Sequence, residues 1–392
     1  MGLLNTPSGE RIHIGFFGKR NVGKSSLINV ITGQEISLVS QVAGTTTDPV
    51  YKAMELLPLG PVMIVDTAGV DDEGDLGALR IAKTKETLKK IHIAVLVLDP
   101  AEGITPFDEE LISEFEAQKI KYIKVYNKAD IVDKKEPGEL YVSAKTGKNI
   151  DALKESIISV WGANTPERRI VGDLIDEGDF VILVTPIDES APKGRIILPQ
   201  QQTIRDILDK NAIAITVKPE QLTEVLENLK TTPRLVICDS QAFGEVSKIL
   251  PVNIPLTSFS ILFARYKGDL KELIEGADKI DSLKDGDTIL ISEGCTHHRQ
   301  CEDIGTVKIP KLLKGYTKKN LLIKTTSGGN FPKDLSEFSL IIHCGGCTLT
   351  EKEMQYRVTE AKNQGKKITN YGIAIAKMTG ILDRSIEIFP EL

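Results

Sequence analysis

Cysteine, histidine and long apolar runs are scarce in this sequence, and each shortage removes a class of protein. Five cysteines in 392 residues are too few for a disulfide framework, and with no signal peptide they are expected as reduced thiols in a cytoplasmic protein. No apolar run is long enough to span a bilayer, so no membrane partner is expected. The 49 basic residues against 55 acidic ones leave a net charge of −6, which argues against a general nucleic-acid partner. The locally basic stretch from Lys308 to Lys319 reads as a solvated face. No histidine lies between His92 and His297, so the middle of the chain carries no catalytic cluster.

Against these shortages, two groups of motifs stand out. The first begins at Gly18-Lys19-Arg20-Asn21-Val22-Gly23-Lys24-Ser25, behind the apolar run Ile12 to Phe17 and ahead of the helical pattern Leu27, Ile28, Val30, Ile31. Strand, glycine-rich turn and helix in that order make a P-loop. Gly18 and Gly23 let backbone N–H groups converge on phosphates, and Lys24 supplies a cation between the terminal phosphates. Ser25, followed by Ser26 at the helix start, offers a hydroxyl to Mg²⁺ where a helix N-terminus already favours anions.

Further loops follow, each behind an apolar strand. Asp66-Thr67-Ala68-Gly69 comes after Val62 to Val65, so the Asp66 carboxylate reaches Mg²⁺ through water while Gly69 approaches the γ-phosphate. Asn127-Lys128-Ala129-Asp130 comes after Tyr122 to Tyr126. Asp130 is suited to accept two N–H bonds from a guanine edge, a pattern adenine does not offer, with Asn127 bracing the loop and the Lys128 stem packing on the base. Ser143-Ala144-Lys145 supplies the last loop, whose backbone amide meets the guanine oxygen. Each tetrapeptide alone is an ordinary turn; together and in order they select GTP over ATP. The residue after Gly69 is Val70, so the glutamine that orients the attacking water in Ras-like GTPases is missing, and hydrolysis needs help from elsewhere.

Residues 10 to 162 resemble the translation-factor-like small GTPases, in the branch of the tRNA-modification and ribosome-assembly GTPases. The resemblance implies that Gly44-Thr45-Thr46-Thr47-Asp48 is the second loop, with Thr46 closing over Mg²⁺ and the γ-phosphate, and Thr47 standing where relatives commonly carry arginine. It also implies K⁺ beside the phosphates at Asn21, a cation able to replace an arginine finger electrostatically. Asn21 read by itself is equally a turn-former in a left-handed conformation.

The expected fold class is α/β: an N-terminal P-loop GTPase domain over 1–165, then two smaller α/β domains with largely parallel sheets. The second domain, 172–268, alternates apolar runs (Phe180 to Val184, Ala212 to Val217, Leu235 to Cys238) with helical patterns. A sheet of so few strands exposes its edges, so this region is expected to form a homodimer. The third, 269–392, holds the other motif group, Cys295-Thr296-His297 and His343-Cys344-Gly345-Gly346-Cys347, each just past a strand end, where open α/β sheets place ligands. Cys295, Cys344 and Cys347 with His297 or His343 match a structural zinc site, and spacing alone favours zinc over an iron–sulfur cluster. Cys238 reads as core, and Cys301 as a loop thiol or spare ligand.

Taken along nearly its full length, the chain is similar to the HydF family, the maturation GTPases of FeFe-type hydrogenases. That resemblance implies a 4Fe-4S cluster on Cys295, Cys344 and Cys347 with one iron left open, His297 and His343 tuning or capping it. It further implies a scaffold that receives a transient di-iron precursor from two radical-SAM maturases and delivers it to apo FeFe-hydrogenase. The alternative is a ribosome- or RNA-linked GTPase with a C-terminal zinc module.

Overall fold

The computed structural model describes residues 6–33, 49–67, 83–131, 136–162, 168–187, 196–294 and 303–392. The chain divides into two compact units, Met1–Pro166 and Glu167–Leu392.

In the first unit six strands form one sheet: β1 (Ile12–Phe17), β2 (Val50–Leu56), β3 (Gly60–Asp66), β4 (Ile93–Leu98), β5 (Lys121–Tyr126) and β6 (Leu140–Tyr141). Their order is β2-β3-β1-β4-β5-β6. Every pair is parallel except β2 with β3. The unbroken apolar sequence of β4, buried at all its residues, follows from having both faces covered. One face packs on the helices Lys24–Thr32 and Ile150–Gly162 through Leu27, Ile28, Leu153 and Ile157. The other packs on the helix Pro106–Ala117 through Leu111 and Phe115. Thr105 starts that last helix, giving its backbone N–H to the Asp108 carboxylate at 2.9 Å, with Pro106 at the first turn where no N–H is needed.

The second unit repeats one topology twice. The first sheet has β7 (Phe180–Val184), β8 (Ile213–Val217), β9 (Leu235–Cys238) and β10 (Leu256–Ser258); the second has β11 (Thr288–Ser292), β12 (Leu322–Thr326), β13 (Leu340–His343) and β14 (Ile368–Asn370). The orders are β10-β9-β7-β8 and β12-β11-β13-β14, all parallel. In each sheet, therefore, the first strand lies between the second and the third, with the fourth outside the third. The fourth strands, β10 and β14, are buried throughout, while the second strands, β8 and β12, are the exposed edges. Cys238 lies in the core as expected.

One hydrophobic core runs through both sheets, from Val181 and Ile237 to Ile341 and Ile373. The helix Phe259–Lys267 and the helix Tyr371–Met378 join them. Ser258 caps the first through Ile261 N–H and Asn370 caps the second through Ile373 N–H. The backbone and hydroxyl oxygens of Ser260 accept from Asn370 Nδ2 at 2.8 and 3.3 Å.

Two backbones approach closely at Gly276, in the helix Leu270–Asp278, where an added Cβ would sit 1.8 Å from the carbonyl oxygen of Ile368. Gly276→Ala is expected to destabilise this unit by about 3 kcal/mol by forcing the helix off β14. Urea denaturation of the full chain checks this, and unchanged stability would contradict the packing described.

Candidate functional site

The C-terminal ends of β1, β3 and β5 converge on the turn 18–23 and the start of the helix Lys24–Thr32. Gly23 has φ +90° and would, with a Cβ, meet Asn127 Nδ2 at 2.3 Å, so geometry and space both require glycine. Asn21 adopts the left-handed conformation, φ 63°. Lys24 is buried, its ammonium donating to the carbonyls of Gly18 at 2.8 Å and Lys19 at 2.7 Å. Ser25 Oγ donates to Asp66 Oδ2 at 2.5 Å. Burial pushes the Asp66 carboxyl up; the Ser25 hydrogen bond and the charges of Lys24 and Lys52 pull it back only in part, so it ends above its ordinary value.

Asp66 Oδ1 is buried with no hydrogen-bond partner among the described residues. An orphaned carboxylate oxygen beside a serine hydroxyl at a helix N-terminus has the chemistry of a Mg²⁺ site. Thr46, Gly69 and Val70 lie outside the described residues.

A second cluster sits at the ends of β5 and β6. Asn127 Nδ2 donates to Val22 O at 2.9 Å, and its Oδ1 accepts from Ala144 N–H at 3.0 Å. One buried side chain thus ties the phosphate turn to the Ser143-Ala144-Lys145 loop. Asp130 Oδ1 accepts from Ser143 Oγ at 2.6 Å, which holds its carboxyl below the ordinary range. Lys128, at φ 60°, extends its ammonium to Asp99 Oδ2 at 2.6 Å. Asp99 and its partner Lys128 did not stand out in the sequence as a pair, because 28 residues, with a helix and the strand β5 among them, separate them.

The cysteine turn follows β13. Cys344 N–H continues the β11–β13 pairing to Ser292 O at 2.9 Å. Its Sγ then accepts N–H bonds from Gly294 at 3.1 Å and Gly346 at 3.4 Å. Gly294 immediately precedes Cys295. Both Cys344 and Cys347 are half-buried. Cys295, His297 and Cys301 lie outside the described residues. No group of three or more histidine, cysteine, aspartate or glutamate side chains is placed to hold a metal among those described. A sulfur that accepts two backbone N–H bonds is suited to a metal-binding or cluster-binding role.

His343 departs from its expected role as a ligand. Its ring is fully buried, with Nδ1 donating to Cys344 O at 2.7 Å and Nε2 accepting from Arg357 at 2.9 Å. Burial first, and then the Arg357 charge, push its pKa down to about 3, so it is neutral and has no nitrogen lone pair left for a metal. Arg357 is itself buried and donates to Gly328 O at 2.8 Å and Glu353 Oε1 at 3.1 Å. The sequence signal for it was an Arg and Glu four apart on the stripe carrying Met354, Val358 and Ala361, a charged pair on an apolar helix face.

The nucleotide-type turn with a guanine-type loop defines a P-loop GTPase domain, joined here to two parallel sheets, the second of which leads into the turn of Cys344 and Cys347. Residues 13–128 match the family model for a 50S ribosome-binding GTPase. Residues 170–268 match the hydrogen maturase F dimerization domain and residues 271–388 the hydrogen maturase F tetramerization domain. With these two adjoining matches over more than half of its length, the chain belongs to the hydrogen maturase F family.

Among curated relatives, the tRNA modification GTPase MnmE of Nitrosospira multiformis is 33% identical over 170 residues, covering 40% of this chain and 37% of that protein. GTPase Der of Wolinella succinogenes is 39% identical over 171 residues, covering 39% and 36%. The chain thus spans less than two-fifths of the length of either relative. Among solved structures, Aquifex aeolicus Era bound to GDP and aluminium fluoride is 20% identical, with a TM-score of 0.35 over 55% of this chain and 97% of that one.

Asn127→Ala is expected to cost about 2–3 kcal/mol in the first unit, because it removes two hydrogen bonds and strands Val22 O. Nucleotide affinity should fall with it. Denaturation and nucleotide titration of the full chain check both, and wild-type affinity would show that the two loops hold their places without this bridge.

Proposed function

We propose that the protein is a GTP-hydrolysing scaffold for assembly of the FeFe-hydrogenase di-iron subcluster, holding a 4Fe-4S cluster and delivering the precursor to apo-hydrogenase. The observation that carries this reading is the Cys344 sulfur with its two backbone N–H donors, in a domain of the hydrogen maturase F family, on a chain that also has a GTPase domain. The two C-terminal family matches favour it over the ribosome-linked GTPase with a zinc module.

At the nucleotide site, the N–H groups of the turn from Gly18 to Gly23, together with Lys24, bind the β- and γ-phosphates. Lys24 already lies among carbonyls of the same turn, which hold its ammonium at the turn until phosphate oxygens replace them. Ser25 directly and Asp66 through water would hold Mg²⁺, which neutralises charge on the phosphate oxygens. Ser26 continues the anion-binding helix start, and Thr46 and Gly69 close on the γ-phosphate. Asp130 reads the guanine edge, Lys128 lies against the base, and the backbone of Ser143, Ala144 and Lys145 meets the guanine oxygen. Asn21 holds K⁺, supplying the positive charge that Val70 does not.

At the other site, Cys295, Cys344 and Cys347 would hold the cluster, whose three-thiolate ligation leaves one iron open to an exchangeable ligand. His297 remains the candidate cap, and His343 acts by orienting the Cys344 carbonyl. The di-iron precursor is cargo, received from two radical-SAM maturases. Switch-loop ordering by the γ-phosphate governs partner binding and release rather than bond formation on the cargo. The region 172–268 forms the homodimer, an assignment its match to a dimerization domain supports. The protein works in the cytoplasm.

K⁺ is expected to accelerate GTP turnover over Na⁺ by roughly tenfold or more, and Asn21→Ala to abolish the difference. Equal turnover of the wild type in the two salts would remove the cation site. For the scaffold role, protein loaded with synthetic di-iron precursor should activate apo-hydrogenase without hydrolysable GTP, and Cys344→Ala should not activate. Full activation by Cys344→Ala would sink the cysteine assignment.

A further inference from the structure

Lys267 ends the helix Phe259–Lys267 in the region that matches the dimerization domain, yet its side chain belongs to the cysteine turn of the next domain. It is 1% exposed. Its ammonium donates to the backbone carbonyls of Gly346 at 3.3 Å, Cys347 at 3.1 Å and Leu349 at 2.8 Å, and lies over the Phe263 ring at 5.8 Å. An ammonium has three N–H donors, and three carbonyls from one turn meet them. A buried cation is costly unless it is fully hydrogen-bonded, so the turn and the lysine hold each other in place.

The geometry has a further effect on the thiols. In a planar trans peptide the carbonyl and the following N–H point in opposite directions. Drawing the Gly346 and Cys347 carbonyls toward Lys267 therefore aims the N–H groups of Cys347 and Thr348 away from it. The Gly346 N–H, one residue back, is already bonded to Cys344 Sγ. On the far side of the turn, the Cys344 carbonyl is held by His343, which Arg357 fixes. At the other end of the Lys267 helix, Ser260 Oγ accepts from Gly372 N–H at 3.2 Å. This single helix thus contacts the C-terminal domain at both ends, and Lys267 is its contact with the cysteines.

We infer that Lys267 is a positioning residue of the cysteine turn, and that through it the self-association region sets the conformation in which Cys344 and Cys347 are presented. The inference rests on the proposal that these cysteines hold the cluster.

The test uses the full chain as wild type, Lys267→Met and Lys267→Arg. Amide hydrogen exchange is followed in the metal-free protein, and the midpoint potential after reconstitution with iron and sulfide. In Lys267→Met, exchange across 344–349 should rise at least tenfold while β7 and β9 keep wild-type protection. Its potential should move negative, because a nearby positive charge that favours the reduced cluster is gone. Lys267→Arg keeps the charge but spreads it over a planar fork, so its potential should stay near wild type while exchange in the turn still rises.

Wild-type exchange and potential in Lys267→Met would overturn the inference. If Lys267→Met does not fold, Lys267→Arg decides: faster exchange confined to 344–349 supports the inference, and wild-type exchange there overturns it. A wild type that takes up no iron refutes the cluster reading alone, because the exchange comparison in metal-free protein still decides the role of Lys267.

Discussion

Parallel pairing is the constraint on which both sites depend. Each strand in a parallel sheet must return through a crossover before the next begins, so consecutive strands deliver their C-terminal ends to the same edge. In the first unit this gathers the turn 18–23, Asp66 and Asn127 from strands far apart in sequence. In the second it sets Gly294 after β11 beside Cys344 after β13, fifty residues away, close enough for an N–H to reach a sulfur. Among the described residues the only antiparallel pair, β2 with β3, lies at the margin of its sheet, and β2 adds to the nucleotide site the charge of Lys52 near Asp66.

Strand positions were the most legible part of the chain, because continuous apolar runs bounded by glycine and polar turns have few other readings. Phe180–Val184 and Leu235–Cys238 fall where the runs place them. The short fourth strands, Leu256–Ser258 and Ile368–Asn370, escaped notice. Three residues ending in a helix cap carry too little periodicity, and their burial comes from the neighbouring sheet rather than from their own pattern. In the sites, motif residues such as Lys24 and Asp66 could be found because phosphate chemistry restricts their spacing. Lys267 could not, since it serves carbonyls, which every residue has, and so leaves no spacing signature; Arg357 left only its Glu353 partner one helical turn away. His343 shows the opposite failure: a residue type apt for metals, drawn instead into the backbone support of the adjacent cysteine.

The twin sheets show how little separates a scaffold from a site. Cys238 ends the third strand of one, and His343 ends the third strand of the other. After β9 the chain turns through Asp239, whose carboxylate accepts the Gln241 N–H and caps a short helical turn; after β13 it turns through Cys344-Gly345-Gly346-Cys347. In the first case burial, and after it the neighbouring Asp239 charge, drive the Cys238 thiol well above its ordinary pKa, keeping it protonated and inert. In the second, backbone donors reach the sulfur. The difference lies in the residues just after the strand, not in the architecture beneath them.

The two outer edges of the second unit are chemically unlike. β8, Ile-Ala-Ile-Thr-Val, carries no charge, while β12 carries Lys324, paired to Glu337 at the surface. If the edges were alike, one molecule's β8 could meet the next molecule's β12, a head-to-tail contact that does not close on itself and propagates into a fibre. Placing an ion pair on one edge makes that mixed contact pay for stripping water from two charges, whereas β8 meeting β8 pays nothing of the kind. An ion pair on one outer strand thus makes edge-to-edge pairing costlier at β12 than at β8, which disfavours contacts that do not close on themselves.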